Sequence, residues 1–538
     1  MSLEAPVLII GGGPVGLATA LDLGLRGVES IVVERDASTG AELLAKAGTL
    51  NERTMEICRK WGIAEAVANC GFPDDVNLDT IYCTGLDGLF IGGDPRPATR
   101  DRAPPAGALE MLRKCPQFQF DPILARAALA TGRVNIRYGH ECQRVDQDFD
   151  GVSAQIVDLA TGAATTARGR YLVACDGAGS RVRQQYGLVF DGQMLSFSVS
   201  AMIRADLSAT PMGVRNRYMF IDRTGTWSNL TSVDGRELWR FTLVGTESKL
   251  DPAVYDISQD IRRAFGSAVA FEVLRVFPWR RSAFTVERYR EGRVFFAGDA
   301  AHTTSPTGGH GLNTGVGDAL SLGWMLHAVL SGQGGEGLLD AYGAERRPVA
   351  VRNSASSTQN FLAWIGAADF SQVMDETPAG EMARAEIGRK MSESLQQEWT
   401  SHGVGLGYRY EGSPIIEPDG TPEPPDTVQT YVQTARPGHR APHAYLTDGR
   451  STIDLFGDGF VLLRFDAEIS TAGLTAAART LGAKLTVVDI AEAEIARLYE
   501  RKLVLVRPDA HVAWRSDSEP ADPLVLMAKV AGFQTARK

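Results

Sequence analysis

Residues 295–319 read FFAGDAAHTTSPTGGHGLNTGVGDA. Gly298 releases an aspartate, Asp299, from the end of an apolar run. A bare segment containing Pro306, Gly308, Gly309, Gly311, Asn313 and Gly315 follows. Glycine inside a regular element costs about 1 kcal/mol against alanine, so a backbone this bare implies something that must come close to it. A carboxylate at a strand's carboxyl end suits a sugar or ribityl hydroxyl. Backbone N–H groups at a helix start, at the positive end of the dipole, suit a planar ring that takes up negative charge on reduction. Together these features predict a flavin with its N1–C2=O edge at the helix start.

The elements that would position these groups can be read around them. Arg293–Ala297 is a strand candidate. Residues 316–330 place apolar groups at 316, 319, 320, 322, 325, 326, 329 and 330, a helical period stopped by Gly332. At the other end of the chain, the apolar run Val7–Ile10 precedes Gly11, Gly13 and Gly16 in G-x-G-x-x-G spacing, with Pro14 opening a helical stretch to about Gly27. A second strand, Ser30–Val33, ends at Glu34. The glycines suit a tight turn, close approach to a pyrophosphate and close helix–strand packing, and Glu34 suits a ribose. This unit predicts a dinucleotide site and leaves NAD and FAD open.

Composition narrows the class. The chain has 538 residues, enough for two or three domains, and a formal net charge of −10. That balance argues against nucleic-acid binding. Six cysteines, all at or before Cys175 and none in a C-x-x-C pair, point to a reduced, cytoplasmic protein. Residues 7–25 are interrupted by glycines and Asp22, so no membrane span is expected. No metal-ligand cluster is expected.

Three motifs in order resemble the group A FAD-dependent aromatic monooxygenases, the family of phenol and p-hydroxybenzoate hydroxylases. They are GGGPVG (11–16), the Asp-Gly of YLVACDGAGSRVR (171–183), and the Gly-Asp-Ala-Ala-His and following glycine loop of 298–313. LLDAYGAERRPVA (338–350) also matches, and the C-terminal segments resemble those of secondary-metabolite hydroxylases. The resemblance implies an α/β fold: a Rossmann-like FAD-binding domain, an inserted antiparallel-sheet substrate domain and a C-terminal thioredoxin-like domain. The boundaries expected are 1–189 with 286–365, 190–285 (with part of 71–112 contributing to the substrate region), a helix and linker over 366–427, and 428–538.

The resemblance also implies roles. Gly11, Gly13, Pro14, Gly16 and Glu34 would hold the ADP half of FAD, with Arg35 near the adenine. Gln117 would contact the flavin side and Asp299 the ribityl chain. Gly309, Gly311, Leu312 and Asn313 would meet the pyrimidine edge, and Pro306 would border the ring. Asp176 and Gly177 would support FAD and a passing nicotinamide cofactor. Lys46, in Ala45-Lys46-Ala47, stands where many members have an arginine; it keeps the charge and loses the planar fork.

His302 reads as a turn-filling residue. His310, inside the flavin loop, is a catalytic candidate facing substrate. Residues 190–285 alternate as strands, for instance Arg217–Asp222, Trp227–Val233 and Leu238–Leu243, and offer Tyr218, Asn229, Trp239 and Arg240 as pocket candidates, of which Tyr218 and Arg240 join His310 and Pro306 as catalytic candidates. The implied reaction uses non-covalent FAD, NADPH or NADH and O2 to hydroxylate a phenolic or polycyclic aromatic substrate through a flavin hydroperoxide. Baeyer–Villiger oxygenation, a halogenase, a plain reductase and a non-catalytic FAD scaffold are the alternatives. A homodimer is a further expectation. With no cysteine after Cys175, the C-terminal domain should be structural or an assembly surface, and the basic run at 436–443 a turn.

Overall fold

The computed structural model describes residues 3–40, 46–246, 248–267, 269–366 and 368–533. Val7–Ile10 has no polar side chain and is buried along its length, as a strand covered on both faces must be. It pairs in parallel with Ser30–Val33 and with Tyr171–Ala174. Val134–Arg137 and Val294–Phe296 extend the sheet in parallel, and Arg290–Glu291 closes one edge antiparallel. Helix Pro14–Leu25 links the first two strands and packs against helix His310–Leu330. Glycines permit that contact: a Cβ at Gly315 would strike Val15, and one at Gly323 would strike Asp22.

The second helix begins at His310, six residues before the apolar period does. Gly311, Asn313 and Gly315 therefore lie in its first turns, not in a loop. Packing against Pro14–Leu25 overrides the poor helix propensity of these residues.

An eight-stranded sheet covers the site. Phe190–Ala205, Arg217–Asp222, Gly225–Ser232, Leu238–Thr246 and Phe271–Val286 form most of it. Thr80–Cys83 and Phe90–Asp94 join from earlier in the chain, and His302–Thr303 adds the far edge. One face buries Ala201, Phe220, Leu230 and Phe241 against helix Ser258–Phe265. Helix Pro378–Trp399 lies beside the Phe90–Asp94 strand.

The C-terminal sheet runs Leu485–Asp489, Phe460–Arg464, Leu503–Val506, Val512–Ser516. Buried ion pairs fasten it to the rest. Arg507 meets Glu345 at 2.5 and 2.8 Å and Asp509 at 2.7 Å. Arg440 meets Glu56 at 2.5 Å, and Arg53 meets the same carboxylate at 3.1 Å. The basic run at 436–443 is thus more than a turn, because Arg440 is a fully buried docking residue. Among the described residues, no helix is long and apolar enough to cross a membrane, and no three His, Cys, Asp or Glu residues gather as a metal site.

Candidate active site

The dinucleotide turn divides its work among three glycines. Gly11 has φ +106°, and a Cβ there would strike the Cys175 carbonyl. A Cβ at Gly16 would strike the Gly11 carbonyl, so this residue lets helix and strand touch. At Gly13 a Cβ would meet nothing within 4 Å. Gly13 is the N-cap of Pro14–Leu25, no side chain caps the helix, and it opens onto a cavity of about 390 Å³.

The second helix start opens onto the same cavity. Gly309, its N-cap, has φ +68° and no side-chain cap, and Gly309, Gly311, Leu312 and Asn313 all line the cavity. Positive φ belongs to Gly308 and Gly309; Gly311 has none, and a Cβ there would approach only Thr304, at 3.9 Å. Its bareness serves the cavity and not the turn. Asn313 clasps the neighbouring chain: its Oδ1 accepts from the Asn51 N–H at 2.9 Å, and its Nδ2 donates to the Thr49 carbonyl at 3.0 Å.

Asp299 points into the space between the two helix starts. Its side chain is exposed to the cavity, protein surrounds it, and it makes no hydrogen bond among the described residues. This enclosure raises its carboxyl, with His302 and Lys46 pulling the other way. Asp318 holds the turn in place. It accepts from the Gly298 N–H at 3.1 Å, His302 Nε2 at 2.8 Å and Arg346 Nε at 2.8 Å. His302 is therefore a buried structural residue. Asp318 and Arg346, which sequence reasoning did not single out, are its supports.

Lys46, Gln117 and Pro306 line the cavity, as does Gly177. Gln117 donates to Asp121 at 3.1 Å from the start of helix Gln117–Ala130. Ala45 lies outside the described residues. Glu34 stands at the strand end, accepting from the Gly12 N–H at 2.5 Å and the Asp36 N–H at 2.7 Å. Arg35 is exposed beyond it, 3.8 Å from Asp36. Asp176 sits behind the wall and accepts from the Val182 N–H at 3.2 Å. Burial raises its carboxyl, and its second oxygen has no partner among the described residues.

Of the residues expected to do chemistry, Pro306, His310 and Arg240 reach the cavity and Tyr218 does not. Tyr218 is fully buried on the opposite face of the sheet, its hydroxyl donating to the Gly213 carbonyl and accepting from the Arg215 N–H at 2.9 Å. Trp239 faces the same way and donates to the Ala205 carbonyl at 3.0 Å. Asn229 is buried and does not line the cavity. The cavity row is Arg217, Thr231 and Arg240, opposite one another across three strands. Strand alternation places Tyr218 in the next row, with Leu230 and Phe241. The choice of Tyr218 over Arg217 is a one-residue error, because both faces of this sheet are largely covered and the apolar pattern does not mark the inner one. His310 is neutral: burial, then the charge of Arg352, pushes it down to about 4, and its enclosed Nε2 has no partner among the described residues. Sequence reasoning also missed Arg96, Arg102, Lys114, Glu398, Trp399 and His402, all on the cavity wall.

The site fits FAD. Two helix starts without side-chain caps, a bare Gly13 and an Asp299 with no hydrogen bond among the described residues face one space. The FAD binding domain family matches residues 4–357, and the aromatic-ring hydroxylase C-terminal domain matches residues 434–532. The chain belongs to the FAD-dependent aromatic-ring hydroxylases. It is 32% identical to tetracenomycin B2 monooxygenase-dioxygenase of Streptomyces olivaceus, covering 99% of both chains. It is 34% identical to 4-methyl-5-nitrocatechol 5-monooxygenase of a Burkholderia species, over 97% of this chain and 96% of that one. The structure of the rebeccamycin biosynthetic enzyme RebC with reduced flavin superposes with a TM-score of 0.91 at 37% identity, covering 99% of both chains. This hydroxylase is an FAD-dependent monooxygenase with the three-part fold its motifs imply.

Proposed function

We propose that the protein hydroxylates a phenolic or polycyclic aromatic ring, with NADPH or NADH as reductant and O2 as co-substrate. One observation carries this reading: the helix start at Gly309–Asn313 and the sheet row Arg217–Thr231–Arg240 line a single cavity. FAD, when bound, supplies the oxygen chemistry. The chain's own residues do the rest. Gly13 and Pro14 present the first helix start to a pyrophosphate, and Asp299 accepts from a ribityl hydroxyl. The N–H groups of Leu312 and Asn313 meet the pyrimidine edge, where fixed donors favour developing negative charge. Pro306 borders the ring. His310 lines the wall without adding charge at neutral pH.

A panel of phenols and polycyclic aromatics, scored for stimulated NAD(P)H oxidation and for product mass and structure, tests this. Hydroxylated product supports it. Ring-inserted oxygen would assign Baeyer–Villiger chemistry, and reductant consumption without any oxygenated product from the panel would reject the proposal.

A further inference from the structure

Among the described residues, cations outnumber acids on one side of the cavity. Arg217 and Arg240 stand in one cross-strand row with Thr231 between them, about 10 Å apart at two inter-strand spacings. Arg96, Arg102 and Lys114 line the same cavity. Among the described residues, two carboxylates reach this wall, and both are engaged. Glu398 takes Arg217 at 2.9 Å and Trp364 Nε1 at 2.5 Å, while Glu52 takes His402 at 3.0 Å. Trp399 serves two cations at once, with the Arg217 and Arg96 guanidinium carbons 4.7 and 6.0 Å from its ring centre. Arg102 Nη1 and Arg217 Nε are buried without a partner among the described residues, and Lys114 forms no ion pair there.

Burial lowers Lys114 to about 7, and Arg217, Arg240 and Arg96 add repulsion. Arg96 and Arg240 are also pushed down, to about 10, by burial first and then by neighbouring arginines. Crowded, desolvated cations are unfavourable unless an anion sits among them, and perturbed groups gathered in a cleft mark a ligand site.

We infer that the substrate is an aromatic acid whose carboxylate is held by Lys114, Arg102, Arg96 and the Arg217–Arg240 row, with its ring directed toward Gly311–Asn313. This rests on the monooxygenase reading. Position favours substrate over the phosphate of a nicotinamide dinucleotide, because Arg217 and Arg240 stand on the sheet that covers the site, and Arg217 and Arg96 lie over Trp399, an aromatic surface.

The test uses the FAD-loaded protein and two probes, 1-hydroxy-2-naphthoic acid and its methyl ester, titrated at pH 6.5 with the flavin absorbance shift as the readout. The acid should bind at least about tenfold more tightly than the ester. Lys114→Met and Arg102→Gln should each weaken the acid about ten- to a hundredfold and leave the ester unchanged, the loss expected of one charge-assisted contact. Arg102→Gln carries the test if Lys114→Met does not fold. Equal affinities, a tighter ester, or no binding of the acid at millimolar concentration overturns the inference. Variants that lose their preference between NADPH and NADH while binding the acid normally also overturn it, assigning the cations to the reductant. Binding is read without turnover, so a catalytically silent protein still decides the charge question. A protein that hydroxylates neutral phenols and ignores the acid keeps the proposed function and loses this inference.

Discussion

The protein buries charge in two places and handles it in opposite ways. At the junction with the C-terminal domain, Arg507, Arg440 and Arg53 face Glu345, Asp509 and Glu56, and the guanidiniums and carboxylates pair within the chain. Among the described residues of the cavity, cations outnumber the acids that reach them, Asp299 has no hydrogen-bond partner, and two helix starts lack side-chain caps. Buried polar groups that are satisfied internally belong to the fold. Those left unsatisfied are waiting for something the chain does not contain. Substitutions in the first region should therefore register in folding, and those in the second only when a ligand is present.

The largest effect should come from the junction. Arg507→Met leaves Glu345 and Asp509 buried without their cation and should cost about 3–5 kcal/mol, read as a lower denaturation midpoint with or without FAD. A variant as stable as the parent would show that the junction is not held by its charges.

Gly311→Ala separates the regions from the other side. Its added Cβ meets almost nothing in the protein, so the FAD-free form should be as stable as the parent or gain up to about 1 kcal/mol of helix propensity. The loaded form should suffer, by about 2–4 kcal/mol if both following N–H donors are displaced from the flavin. If the FAD-free variant is the one that weakens, Gly311 belongs to the fold.

Asp299→Ala should weaken FAD by about 1.5–3 kcal/mol, roughly ten- to a hundredfold in dissociation constant, while FAD-free stability is maintained. An unchanged constant removes Asp299 from the cofactor.

The smallest effect is expected at Lys114. Removing a desolvated cation among arginines should leave stability unchanged or raise it by about 1 kcal/mol, so the melting temperature of Lys114→Met should not fall. A clear drop would mean that its charge is satisfied by the fold after all.

Sequence made the backbone-built parts of the site readable. At Gly11 and Gly16 a side chain would strike backbone, Gly309 has a positive φ, Gly13 and Gly311 leave the cavity wall bare, and the spacing of all five is local. Asp299 was legible because it follows the carboxyl end of a strand, in the turn released by Gly298. The start of the His310–Leu330 helix was not, because Gly315, which looks like part of a loop, is needed there for packing on Val15. The substrate wall was least legible. Its residues come from segments around 96–114, 217–240 and 398–402, and nothing in a single stretch says that they meet. An acid and a tryptophan ending an amphipathic helix, Glu398 and Trp399, were the available hint.

The two-faced sheet has a consequence for how such an enzyme can change. Tyr218, Leu230 and Phe241 are locked into the apolar layer on one face, while Arg217, Thr231 and Arg240 alternate with them toward the cavity. A codon change at Thr231 alters what lines the pocket without disturbing the apolar layer beneath or the glycine turns, whereas one at Arg217 also strands the buried Glu398. At Thr231 recognition is thereby uncoupled from redox chemistry, and a lineage can try new substrates at that position while keeping a working flavin throughout.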